Sequence, residues 1–313
     1  MSVTCKVIEN YEVYGKCVEI SNGTVKAIVT ADIGPRILFY GFCDGENVLE
    51  QNHSGQANWE GKAWDEYYYE GAKSYIYGGH RIWVTPEGAP ETYYPDNEAL
   101  EVEYTDKGAI FTAPPQIKND IQVSIEIRMA DSGAEMEVYN RVKNVGSCDK
   151  EFAVWTISVM QQGGLEIFPQ NTNDTGYLHN RVISLWSYTN PNDYRFYNGK
   201  KYMTLKQDPG APCAFKMGTN NRSGVALYCA KETVFIKTRE VDHDNLVYPD
   251  GNVSFETYTA SGVMELEMMD AVKVVAPGVT SEFKENWALK VNPGTPDARS
   301  DDEIDAFWKE IMG

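Results

Sequence analysis

Residues 121–140 read IQVSIEIRMADSGAEMEVYN, and their alternation sets how the rest of the chain is read. Ile121, Val123, Ile125, Ile127 and Met129 alternate with polar partners, the two-residue period of a strand with one dry face and one wet face. Asp131, Ser132 and Gly133 form a turn cluster, after which Met136 and Val138 resume the alternation, so the stretch predicts a hairpin. Thr105, Asp106, Lys107 and Gly108 make a second such unit, with Leu100, Val102 and Tyr104 before the turn and Ile110 after it. Period-two patterns recur from the first residues to about residue 290, joined by Gly, Asn and Asp turns. Many short strands connected in this way predict an all-β fold, a large antiparallel β-sandwich.

Two segments break the pattern. At the C-terminus Ser300 is placed to cap a first turn holding Asp301, Asp302 and Glu303, and Ile304, Phe307, Trp308 and Ile311 then share one helical face. A short helix packed on the outside of a sheet is expected there. The stretch 58–73, rich in Trp, Tyr and charge, lacks strand alternation and is expected to be a loop with one irregular turn. No repeat, low-complexity tract or linker divides the 313 residues, so residues 1–313 are expected to form a single domain.

Forty-two per cent of the residues are hydrophobic, enough for a sizeable core. The 46 acidic and 28 basic residues leave a formal charge of −18, which would repel a phosphate backbone or an anionic membrane. Nucleic acid and membrane are therefore not expected as partners. The opening MSVTCKVIENYEVYGK has no apolar run fit for a signal peptide, and no stretch reaches the ~18 apolar residues of a membrane span, so a cytoplasmic location is expected. The six cysteines, at 5, 17, 43, 148, 213 and 229, include no CxxC pair and are expected to be free and mostly buried. The four histidines, His53, His80, His179 and His243, are too scattered for a metal site, and no metal or other cofactor is expected.

The most concentrated chemistry lies in YGGHRIWVTPEGAPETYYPDNEAL, residues 77–100. Sugar sites need this mixture: aromatic rings cover the apolar C–H patches of a pyranose, while amides, carboxylates and guanidinium groups bond its hydroxyls. The same residues could equally build an aromatic-rich hairpin. Alternation places His80, Ile82 and Val84 on one face and Arg81 and Trp83 on the other, so both His80 and Arg81 reach one pocket only if Gly78 and Gly79 carry a bulge. In the late stretch VMELEMMDAVKVVAPG, residues 263–278, Met264, Leu266 and Met268 alternate with Glu265 and Glu267. Those carboxylates are either solvated charges or, if the sheet face lines a hollow, candidates for a general base. Arg36, Asn97, Trp155 and Lys216 complete the set of candidate binding residues.

In order along the chain, ADIGPRILFY (31–40), NVLEQ (47–51), YGGHRIWVTPE (77–87) and ELEMMDAVKVVAPGVTSEFKENWALK (265–290) resemble the galactose mutarotase-like superfamily. That superfamily includes aldose 1-epimerases and hexose 6-phosphate epimerases, and the resemblance extends from about residue 10 to 290. It implies a large super-sandwich with a small-molecule sugar on its open face. It also implies acid–base ring opening, in which a Glu on a late strand takes the anomeric proton and a His protonates the ring oxygen. Glu267 matches that Glu, with Glu265 as the alternative. The stretch that should carry the His, AVWTISVM (153–160), holds Trp155 and no histidine, so His80 is the substitute acid. Two readings follow: an aldose 1-epimerase-type isomerase, or a sugar-binding protein that keeps the site without turnover.

Overall fold

The computed structural model describes residues 2–313. Two antiparallel sheets of 10 strands each face one another. In the first, the strands run across the sheet as Thr4–Ile8, Cys17–Ser21, Val25–Thr30, Ile37–Phe42, His80–Val84, Val154–Val159, Val263–Met269, Phe255–Ala260, Phe215–Thr219 and Ile183–Leu185. The second holds the long strand Thr280–Val291 near its middle, flanked by Thr233–Thr238 on one side and Glu135–Asn144 on the other. The predicted sandwich is therefore present, and the hairpin that revealed it pairs Ile127 with Val138 and Met129 with Met136. The turn at residues 105–108 likewise joins two paired strands, with Thr105 opposite Gly108.

Alternation explains the core directly. Val123, Ile125, Ile127, Val138 and Val142 of one sheet meet Ile37, Ile82, Leu266, Met268 and Phe215 of the other in one contiguous apolar cluster. Burial of such side chains contributes roughly 1.5–3 kcal/mol each. The C-terminal helix, Asp301–Met312, is also as expected: the Glu303 amide donates to the Ser300 hydroxyl, and Ile304, Phe307 and Ile311 are buried. They cover Leu165, Ile167, Leu227, Val234 and Ile236, on the face of the second sheet that points away from the core.

Three expectations are modified. Residues 58–73 are more ordered than a loop: Trp59–Glu60 pairs with Lys73–Ser74 around a short helix, Lys62–Tyr67, and Trp64 Nε1 donates to Ser74 Oγ at 2.9 Å. Trp64 ties the helix to the end of the ribbon ten residues on, a side-chain contact that alternation cannot register. Trp308 is only half-buried, unlike its three helix neighbours, and lies tilted against Tyr202. All six cysteines are free, but only Cys17 and Cys229 are buried, Cys5 and Cys43 are half-buried, and Cys148 and Cys213 are exposed. Both exposed thiols sit beside turns, outside the alternating segments that fill the core. Among the described residues, no helix is long and apolar enough to cross a membrane, and no cluster of His, Cys, Asp and Glu is placed to hold a metal ion.

Candidate functional site

Five neighbouring strands of the first sheet, His80–Val84, Val154–Val159, Val263–Met269, Phe255–Ala260 and Phe215–Thr219, carry the polar residues of the site on their outer face. Their inward residues, among them Ile82, Leu266, Met268, Phe255 and Phe215, belong to the core, so Arg81, Trp83, Trp155, Lys216, Glu265 and Glu267 must point the other way. Gly78 and Gly79 bring the first of these strands in close. Both have positive φ, and a Cβ at Gly79 would run into the carbonyl of Ile37.

The outer face holds a cavity of about 760 Å³, within the ~300–1,000 Å³ range of small-molecule sites. Trp59, Trp83, Tyr93, Trp155, Tyr188 and Tyr258 form its aromatic wall. Trp83 lies edge-on to both Trp155, at 5.3 Å, and Tyr93, at 5.2 Å, while Tyr93 stacks on Trp59 at 4.0 Å. Arg81 lies over Trp83 at 4.1 Å and donates from Nη2 to Glu265 Oε1 at 2.9 Å. Its Nε and Nη1 have no protein partner. A larger concavity of about 830 Å³ adjoins it at Glu50 and Gln162 and extends around Gln161–Leu165 and Thr295–Ala298, but no aromatic ring lines it.

Behind this wall sits a buried triad. Lys216 Nζ lies 3.0 Å from Glu256 and 3.2 Å from Glu267, and its ammonium is held between the rings of Trp155, at 4.6 Å, and Trp186, at 4.7 Å. Trp155 Nε1 donates to the same Glu267 oxygen at 2.7 Å, leaving Glu267 Oε1 without a partner. Burial is the main influence on both acids. It pushes Glu256 up to about 9 and Glu267 up to about 7, with Lys216 opposing the rise in each case. One ammonium cannot neutralise two enclosed carboxylates, so the triad retains a proton near neutral pH.

The structure divides the predicted residues into four groups. Arg81, Trp83, Trp155 and Lys216 line the cavity together, and Glu265 joins them. Glu267 lies next to them but is 0% exposed, sealed under Trp155 and Lys216, so Glu265 is the carboxylate that meets the open space. Arg36 and Asn97 belong to a neighbouring cluster outside the cavity wall. Arg36 pairs with Asp96 at 2.5 Å, while Asn97 accepts from the Tyr77 hydroxyl at 2.6 Å and donates to the Lys73 carbonyl at 2.7 Å.

His80 requires a correction. Its ring is 0% exposed and points into the core, away from the cavity, as the alternation with Arg81 demands. A directional chain holds it there: Lys237 Nζ donates to Ser158 Oγ at 3.1 Å, Ser158 donates to His80 Nδ1 at 2.9 Å, and His80 Nε2 donates to Asn140 Oδ1 at 2.9 Å. Lys237 also pairs with Glu285 at 3.0 Å, an acid that accepts from Thr156 and from Trp287 Nε1 as well. Burial, reinforced by Lys237, pulls His80 down to about 3, which keeps the ring neutral. The diglycine does not move His80 to the Arg81 face, and the ring cannot reach a ligand in the cavity.

Sequence reading missed Glu256, Tyr258, Tyr93, Trp59, Trp186 and Tyr188. The first two were accessible, because FETYTA (255–260) alternates Phe255, Thr257 and Thr259 inward with Glu256 and Tyr258 outward. Tyr93 lies within the 77–100 segment but on a short 3₁₀ turn, where no period marks its direction. Trp59 begins the small ribbon, and Trp186 and Tyr188 follow the edge strand Ile183–Leu185 on a loop, so nothing local links them to the site.

The fold and site together define a class: a large antiparallel sandwich with an aromatic, ion-paired cavity on one outer face. No sequence-family profile matches the chain, and no curated protein matches it in sequence. Solved structures do match. A galactose mutarotase-like protein from Lactobacillus casei aligns over 88% of this chain and 100% of its own, at 11% identity and TM-score 0.55. A Klebsiella pneumoniae protein provisionally assigned as an aldose 1-epimerase aligns over 99% of this chain and 86% of its own, at 12% identity and TM-score 0.59. A TPR-domain containing protein from Parabacteroides distasonis aligns over 97% of this chain and 59% of its own, at 12% identity and TM-score 0.59. This chain has the galactose mutarotase-like fold, as its motifs led us to expect.

Proposed function

We propose that this chain binds a neutral sugar in the aromatic cavity and does so without anomer exchange. The observation that carries the reading is the wall itself: the half-buried rings of Trp83 and Tyr93, backed by the buried Trp155, stand beside the Arg81–Glu265 pair, the combination of apolar ring and directed polar groups that a pyranose requires. Charge supports a neutral ligand over a phosphorylated one. The two cations that line the cavity are each already held by an acid, Arg81 by Glu265 and Lys216 by Glu267. The absence of turnover rests on His80 being enclosed in the core and Glu267 being covered.

One observation favours a second reading, an aldose 1-epimerase-type isomerase with Glu267 as general base. A carboxyl brought to about 7 can both take and return a proton near neutrality, provided that Trp155 and Lys216 move aside. Saturation-transfer NMR on freshly dissolved α-glucose and α-galactose separates the two. Binding with anomer exchange no faster than in buffer is the expected result. Acceleration that disappears in Glu267→Gln would establish the isomerase and overturn our first reading. Trp83→Ala should weaken sugar binding by about tenfold or more, the loss typical of truncating a central aromatic anchor. Unchanged affinity in that variant would remove Trp83 from the site.

A further inference from the structure

The cavity does not end at Lys216. A second hollow of about 370 Å³ lies beyond it and shares Glu87, Tyr93, Trp155 and Lys216 with the first as a common wall. Trp186, Asp250, Glu256 and Ala89 form its far side. Lys216 is thus the waist of a longer cleft, with Trp155 facing the larger hollow and Trp186 the smaller. The loop bearing Trp186 is fastened to the Lys216 strand by two bonds: Thr189 Oγ1 donates to the Lys216 carbonyl at 2.6 Å and accepts from the Lys216 amide at 2.9 Å. The second aromatic platform is therefore part of the same rigid unit as the first.

The geometry points to an extended ligand: we infer that the cleft takes a neutral oligosaccharide, with one sugar unit against Trp83 and Tyr93 and a following unit against Trp186. This rests on the sugar-binding reading and adds chain length to it. A repeating ligand suits a repeating site, since each unit presents an apolar face to a ring and hydroxyls to the charged groups between the rings. The larger hollow alone falls within the range of ordinary small-molecule pockets, so the joined cleft exceeds the needs of a single ring. Charge sets the class. Arg81 and Lys216 are already matched by carboxylates, while Glu87 and Asp250 add further negative charge to the lining, which disfavours uronic acid or sulfated chains.

Isothermal titration of the full chain with malto-, cello- and β-galacto-oligosaccharide ladders, each run from the monosaccharide upward, tests the inference. In one ladder, affinity should rise by about tenfold or more from monosaccharide to trisaccharide. Trp186→Ala, at a half-exposed loop position that leaves the core intact, should remove most of that gain. Ala89→Trp, which places a bulky ring in the second hollow, should leave monosaccharide affinity unchanged while reducing that of the longer chains. A monosaccharide that binds as tightly as its oligomers would overturn the inference and leave the sugar-binding reading standing, and so would a chain-length gain insensitive to both variants. Failure of every ladder, monosaccharides included, would bring down both.

Discussion

Glu256 and Glu267 face each other across paired strands, and Lys216 supplies a single positive charge to both. That imbalance should be visible in stability. Glu256, raised by burial from 4.5 to about 9, keeps its proton in the folded chain over a pH range in which the unfolded chain has lost it. Its contribution is complete below the ordinary carboxyl range and fades as pH climbs through about 9. Urea midpoints of the wild type should therefore contain a declining component from pH ~5 to ~9 that Glu256→Gln removes, since the amide never ionises. Equal slopes in the two proteins would mean that Glu256 is ionised throughout. At this scale alternation reveals side-chain direction but not partners. Arg81 and Glu265 are 184 positions apart, and Trp155 and Glu267 are 112 apart. No local pattern reports who meets across such distances.

Strands and helices were the most legible level. Alternation in His80–Val84 and Val263–Met269 identified which residues share a face, and the mixed-face objection to using His80 and Arg81 together proved to be the physical reason His80 is in the core. The residues 58–73 ribbon and the loop carrying Trp186 and Tyr188 were opaque because their order comes from tertiary contacts, such as the Trp64–Ser74 bond. The C-terminal helix was read from its cap and its apolar stripe, and both can be tested. Ser300→Ala should cost about 1 kcal/mol, and Ile304→Ala, at a fully buried position, about 2–5 kcal/mol in chemical denaturation. A loss below about 0.5 kcal/mol at Ile304 would show that the helix is not docked on the second sheet in solution.

Across the whole molecule, the notable departure from an apolar sandwich is the polar chain between the sheets, Lys237, Ser158, His80 and Asn140, with Glu285 beside it. Glu285→Ala would leave Lys237 charged and unpaired in the core, and it should cost about 3–5 kcal/mol. The double variant Lys237→Met, Glu285→Leu should recover much of that loss, because matched apolar groups need no counter-charge. A double variant as unstable as the single one would show that Ser158 and His80 depend on Lys237 as well. His80 adds an acid limit: held at about 3 against 6.5 when free, it contributes stability above the ordinary imidazole range, and that contribution is lost as pH falls towards 3.

The uneven placement of the six thiols has a practical outcome. A maleimide dye applied to the folded chain should attach at Cys148 and Cys213 and spare Cys17 and Cys229. Cys213 directly precedes Ala214, which borders the cavity, so once Cys5, Cys43 and Cys148 are replaced by Ser a single environment-sensitive fluorophore would stand at the mouth of the cleft. Occupancy of the cleft could then be read optically at a thiol the chain already carries.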